Sequence, residues 1–308
     1  MSGPLLIAYD GSDDAAHGIA CAGRVLAPRR ALVVHSFFGL SHLMLRSNVG
    51  VKDLDQPLAE AVEAFDAADA EEAERVAAEG AQLALAAGLQ AQPIVVRQEV
   101  KAWQTLIAVA EKHQAAAIVA GARGRSGLAA VLLGSVSSGL AAHTPVPLLV
   151  VPAKAEAERE GPVLLAYDGS DHAKNAIEQA GDLSSERSAL VLNVWQSWVT
   201  KVPVYMPGMA RELDEIAAGL SGECADEGLE LATKAGFDPE PLSVSTLRSS
   251  WHAVLDTVEQ RNASVVVVGS RSLSGPSAIL GSTATGVAHH AECPVLIVPP
   301  TGSTPATA

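Results

Sequence analysis

The chain is poor in aromatic side chains, cysteine and positive charge, and each shortage removes a class of protein. Aromatics are 4% of the 308 residues, so the cores must be built from Ala, Val, Leu and Ile, as in sheets covered by helices on both faces. Three cysteines, Cys21, Cys224 and Cys293, stand far apart with no CxxC pair. That spacing argues against a disulfide framework and a zinc site, and leaves reduced thiols in a cytoplasmic protein as the expectation. Acidic residues outnumber basic ones, 35 to 21, for a formal net charge of -14. Affinity for polyphosphate backbones comes from Lys and Arg, so no nucleic-acid partner is expected, although one small anion can still bind locally.

Signals of export, membrane insertion and common phosphate chemistry are also missing. The opening "MSGPLLIAYD" has no basic n-region and reaches Asp10 before an apolar segment of signal length. The stretch from Ser126 to Ala153 has no Asp, Glu, Lys or Arg. Its Gly, Ser and Pro residues divide it into a helix, a turn and a strand, so no membrane span is expected. Neither GxxxxGK[ST] nor GxGxxG occurs, which leaves Walker-type NTPases and dinucleotide Rossmann enzymes without support. No nucleophile, base and orienting group form a recognisable triad.

What the chain does contain, it contains twice. "PLLIAYDGSDDA" from Pro4 matches "PVLLAYDGSDHA" from Pro162, at an offset of 158 that "ALVVHSF" and "ALVLNVW" keep. "WQTLIAVAEKHQAAAIVAG" from Trp103 matches "WHAVLDTVEQRNASVVVVG" from Trp251 at an offset of 148. The first copy therefore carries ten extra residues between these blocks, around His42, Met44 and Arg46, where a lid or an ordinary loop is expected. "GSVSSGLAAHTPVPLLVVP" from Gly134 matches "GSTATGVAHHAECPVLIVP" from Gly281 at an offset of 147.

Within each copy, short β-branched runs alternate with helical patterns, the mark of βαβ units and a parallel sheet. In the first copy strands are expected at 5–9, 31–37, 93–97, 117–120 and 147–151. Helices are expected near 12–26, 58–87, 102–113 and 135–143, with Gly88, and Gly236 in the second copy, ending the long second helix. The fold expected is α/β: two doubly wound five-stranded parallel-sheet domains in tandem, 1–152 and 162–300, with a linker at 153–161 and a flexible tail at 301–308.

Ligands of open parallel sheets bind beyond the carboxyl ends of the strands, where the winding reverses. Asp10 and Asp168 follow the first strand of each copy, where a carboxylate can hold a ribose hydroxyl or a metal ion. Equally, Asp-Gly-Ser can simply make a turn and cap the next helix. The fourth strand of the first copy runs into "GARGRSGLAAVLLGS", in which Gly121, Gly124 and Gly134 are spaced G-x2-G-x9-G and Ser135 follows. Glycines there let backbone amides approach a ligand, and the helix N-terminus behind them favours an anion.

This motif after a fourth strand, with Asp closing the first, resembles the ATP-binding subgroup of the universal stress protein family in its tandem two-domain form. The resemblance covers nearly the whole chain. It implies that Asp10 faces a ribose, Ala8 lies beside the base and the Ser36 backbone reads the adenine edge. Gly121 and Gly124 would turn amides toward the phosphates, closed by Gly134, Ser135 and Val136. Arg123 and Arg125 either add charge or are solvated loop residues. In the second copy, Ala166, Asp168, Val194, Gly269, Gly281, Ser282 and Thr283 match, but Ser272 replaces the second glycine and the segment is one residue shorter. Pro276 also removes an amide donor.

The resemblance implies ATP, with Mg2+, as the ligand of a nucleotide-dependent stress-response switch. It also implies pseudo-twofold pairing of the two domains through "PLLVV" and "PVLIV", and leaves room for a homodimer. A slow Mg-dependent ATPase, or a module for AMP, cyclic AMP or a protein partner, remains the alternative. The adjacent His289 and His290 point to different faces of a helix and make a poor metal pair. Trp103 and Trp251, equivalent in the two copies, are expected to pack in the core or between domains.

Overall fold

A computed structural model of the protein describes residues 3–47, 50–51, 54–98, 100–122, 133–156, 159–184, 187–203, 206–270 and 280–300. In the first half the elements run β1 (Leu5–Ala8), α1 (Asp13–Val25), β2 (Arg30–Phe37), α2 (Leu40–Arg46), α3 (Gln56–Ala86), β3 (Gln90–Arg97), α4 (Ala102–Lys112), β4 (Ala117–Gly121), α5 (Ser135–His143) and β5 (Leu148–Val151). The second half repeats them as β6 (Val163–Ala166), α6 (Asp171–Ser184), β7 (Ser188–Gln196), α7 (Pro207–Lys234), β8 (Asp238–Thr246), α8 (Ser250–Arg261), β9 (Val265–Gly269), α9 (Ser282–His290) and β10 (Val295–Val298). Nothing in the second half answers to α2 among the described residues.

The fold is α/β, with the strands joined in one ten-stranded sheet ordered β3-β2-β1-β4-β5-β10-β9-β6-β7-β8. Pairing is parallel within each half; β5 and β10 meet antiparallel, with Leu149 opposite Leu296. The central strands read as unbroken apolar runs because both faces are covered: Leu148 to Val151 and Val295 to Val298 are buried throughout. The outermost strands carry prolines, Pro93 in β3 and Pro239 and Pro241 in β8, where a missing amide does least harm and discourages further pairing.

Two apolar cores lie on opposite faces of the sheet, and each runs through both halves. One gathers α1, α3, α6 and α7 over residues such as Ile7, Ile19, Ile177 and Leu296. The other gathers α4, α5, α8 and α9 over Leu6, Ile118, Leu140 and Ile297. Alternate residues of one strand feed the two cores, as the period of two requires. Tyr9 lies against Gly80, where a β-carbon would come within 2.5 Å of its ring. Gly88 and Gly236 stand just past α3 and α7 with φ of +85° and +91°, the left-handed conformation that ends a helix cheaply only at glycine.

The segment expected to be a lid or a loop contains a seven-residue helix, α2. Such a short helix is unstable alone. Packing and a polar clasp hold it: the Ser41 hydroxyl donates to Asp66 of α3, and Arg97 at the end of β3 donates to both. These contacts hold the Asp66 carboxyl below the usual carboxylate range, against the opposing effect of burial. Trp103 and Trp251 are intrahalf packing residues. Each ring covers a glycine of the next helix, Gly139 or Gly286, and stacks on its final histidine, His143 at 4.6 Å and His290 at 4.8 Å.

No described helix is long and apolar enough to cross a membrane.

Candidate functional site

In the order β3-β2-β1-β4-β5 the winding reverses between β1 and β4, and a cavity of about 540 Å³ opens beyond their carboxyl ends. Ala8, Asp10, Ser36, Gly121, Gly134, Ser135 and Val136 all line it. Arg123 and Gly124 lie outside the described residues.

Asp10 makes a turn: its Oδ1 accepts from the Ser12 amide at 3.0 Å and from the Ser12 hydroxyl. Ser12 in turn caps α1 by accepting from the Ala15 amide at 3.2 Å. The same carboxylate lines the cavity, so the turn fixes its position without removing it from the site. Asp168 repeats the arrangement, accepting from the Ser170 amide at 3.1 Å while Ser170 accepts from Ala173.

At the other side, α5 begins at Gly134, and no side chain caps it. The first amides of a helix need acceptors from outside it, and the dipole makes that end favourable for an anion. The helix is tied to β4 where the Ser137 hydroxyl donates to the Gly121 carbonyl at 2.6 Å and the Gly134 amide to Ala122 at 2.7 Å. α9 begins the same way at Gly281, with no side-chain cap. Ala284 takes the place of Ser137, and the Gly281 amide bonds to Ser270.

Several lining residues were not expected from the sequence. His35, buried at the end of β2, donates its Nδ1 proton to the Tyr9 carbonyl at 2.9 Å. Asn193 makes the same bond to Tyr167 at 2.8 Å in the second half, so different residues brace β2 and β7 against the turns after β1 and β6. Gln98 follows β3 and donates to the carbonyl and hydroxyl of Ser36, at 3.2 and 2.6 Å. Asp69 and Glu72 of α3 and Ala102 and Leu106 of α4 complete much of the wall. The rule that ligands sit at strand ends could have flagged His35 and Gln98. The α3 and α4 residues become visible only when the helices are packed.

The second half holds a smaller cavity, about 250 Å³. Ala166, Asp168, Val194, Gly269, Gly281 and Thr283 line it. Ser282, the first residue of α9, does not, although its counterpart Ser135 lines the first cavity. Ser272 and Pro276 lie outside the described residues. No residue of α7 or β8 lines this cavity, and Glu72 of the first wall is answered in sequence by Leu220.

Among the described residues no three His, Cys, Asp or Glu side chains are grouped to hold a metal ion. Mg2+ commonly keeps waters and binds through phosphates plus one or two carboxylates, and Asp10 is a fitting ligand of that kind.

Comparison with known proteins gives a consistent result. A model of the universal stress protein family matches residues 1–152 and 161–299. A universal stress protein of Mycolicibacterium smegmatis is 31% identical over 218 residues, 69% of this chain and 70% of that one. The universal stress protein YxiE of Bacillus subtilis is 31% identical over 151 residues, 44% of this chain and 97% of its own. A universal stress protein structure from Archaeoglobus fulgidus superposes with a TM-score of 0.59 at 21% identity, covering 98% of this chain and all of that one. At that identity the likeness concerns the fold.

Proposed function

We propose, because the chain belongs to the universal stress protein family, that its first half binds ATP with Mg2+ and that the bound state is a switch in stress adaptation. One observation carries the reading: Asp10, the Ser36 edge and the uncapped N-terminus of α5 converge on a single cavity of about 540 Å³. That volume is within the roughly 300–1,000 Å³ common for small-molecule sites. In this reading the base lies toward Ser36 and Ala8, the ribose against Asp10, and the phosphates beside Gly134 at the amides of Ser135 and Val136. The dipole and free-standing amides of α5 explain how a chain of net charge -14 would take a polyanion.

The second cavity is the weaker site. It is less than half the volume of the first, and Val194 and Thr246 stand where the first half has Ser36 and Gln98. Its half serves chiefly to complete the sheet, and the β5–β10 register supports pairing of domains 1–152 and 162–300 about a pseudo-twofold axis. The three free cysteines suit a reducing cytoplasm.

Thermal unfolding tests this directly. A ligand selective for the folded state must raise the melting temperature with concentration. Mg-ATP is expected to do so for the wild type and to lose most of its effect in Asp10→Ala. An unchanged melting temperature at millimolar Mg-ATP would sink the reading.

A further inference from the structure

We infer that Gln98 is the base-selecting side chain of the first cavity, favouring a nucleotide with an exocyclic amino group over one with a carbonyl at the same position. The inference rests on the nucleotide reading above and goes beyond it by assigning the discrimination to one residue.

Gln98 stands one residue past β3, is buried, and lines the cavity beside Ser36, Phe37 and Phe38. Its backbone amide donates to the Phe37 carbonyl at 2.8 Å, which fixes the residue against the end of β2. The side-chain amide is oriented by chemistry. The Ser36 carbonyl can only accept, so the group facing it at 3.2 Å must be the nitrogen. With Nε2 also donating to the Ser36 hydroxyl at 2.6 Å, the oxygen Oε1 is the part of the amide left for a ligand. A carbonyl has two lone pairs, so Ser36 can accept from a ligand as well. The base end therefore offers two acceptors side by side, and the Ser36 hydroxyl, accepting from Gln98, keeps its own proton to donate.

That pattern suits the edge of adenine, which presents an amino group beside an unprotonated ring nitrogen. Hypoxanthine and guanine present a carbonyl beside a ring N–H, and would set acceptor against acceptor. Sites built to hydrogen-bond a group reject analogues lacking it far more strongly than apolar pockets do. The second half lacks the device. Val194 stands in place of Ser36, and Thr246 in place of Gln98. Thr246 does not line its cavity, and its hydroxyl accepts from the Arg248 amide at 3.0 Å in a local turn.

ATP and inosine triphosphate differ at this one position, so the test is their relative affinity for the full chain, measured by calorimetry with Mg2+. The wild type is expected to prefer ATP by about tenfold or more. Gln98→Thr, which copies the second half, is expected to bring the ratio within about threefold while still binding ATP. Equal wild-type affinity for the two nucleotides overturns the inference without any variant. An undiminished ratio in folded Gln98→Thr overturns it too, and leaves nucleotide binding intact. Binding of neither nucleotide by the wild type removes the nucleotide reading and this inference together.

Discussion

Arg29 and Arg187 occupy equivalent positions in the two halves and reach across the junction in opposite directions. Arg29 donates to the Asp182 carbonyl at 2.6 Å, in the last turn of α6, and Arg187 to the Val25 carbonyl at 3.1 Å, the last residue of α1. Each guanidinium thus meets the negative end of the other half's helix, where a cation is favoured. Burial pulls the pKa of both below the ordinary arginine value, partly offset for Arg29 by the nearby Asp182. Arg187 also donates to the Ser264 hydroxyl at 2.8 Å.

Both acceptors of Arg187, the Val25 carbonyl and the Ser264 hydroxyl, are partly buried, whereas the shortest bond of Arg29, to the Asp182 carbonyl, is open to solvent. Arg187→Ala is expected to destabilise the chain by about 1.5–3 kcal/mol, the range for charge-assisted hydrogen bonds. Arg29→Ala should cost somewhat less. Urea denaturation checks this: the midpoint should fall with little change in slope, and an unmoved midpoint would show the junction is held by β5 and β10 alone.

Gly139 and Gly286 leave no room for a side chain. A β-carbon at either would come within 2.3 Å of the Trp103 or Trp251 ring. Gly139→Ala and Gly286→Ala are expected to destabilise by about 1–3 kcal/mol through overpacking. Each should shift the tryptophan emission as its indole leaves the histidine stack, whereas unchanged emission and stability would contradict the packing described.

Alkali should unfold the protein through groups that the fold keeps protonated. Burial pushes Cys21 from 9.0 to about 11 and Cys293 to about 12, and burial with the Glu79 carboxylate pushes Tyr9 from 10.0 to about 12. The folded state holds these protons more tightly than the unfolded chain. Their contribution is therefore whole below about pH 9 and lost as the pH rises toward 12, by roughly 1.4 kcal/mol per unit for each group in its window. The urea midpoint should fall between pH 8 and pH 10.5, and by less in Cys21→Ala.

Asp10 has two separable duties. Losing the bonds to the Ser12 amide and hydroxyl should cost about 1 kcal/mol of stability, while loss of the proposed ribose contact should weaken ATP at least about tenfold. Asp168→Ala should show the first effect without the second. Equal losses of ATP affinity in both variants would mean that the two halves contribute alike.

The repeat, the succession of strands and helices and the position of the first cavity were legible because they follow from local rules: apolar runs make strands, and ligands gather where a parallel sheet reverses. Ala8, Asp10, Ser36, Gly121, Gly134, Ser135 and Val136 all line that cavity, and their contacts with a nucleotide belong to the proposal. Helix α2 was not legible, since its stability comes from Asp66 and Arg97, distant in sequence. Gln98 needed the β2–β3 register to bring it over Ser36. The crossed arginines carry no signal of their own in the sequence, because their carbonyl partners depend on how β5 and β10 set the halves together.

The most direct test of nucleotide binding in the first half is a calorimetric titration of nucleotide-free chain with Mg-ATP, run on wild type, Asp10→Ala and Asp168→Ala. The structure predicts about one equivalent bound per wild-type chain, retained in Asp168→Ala and lost in Asp10→Ala. No binding by the folded wild type, or binding that survives Asp10→Ala and disappears in Asp168→Ala, would contradict it.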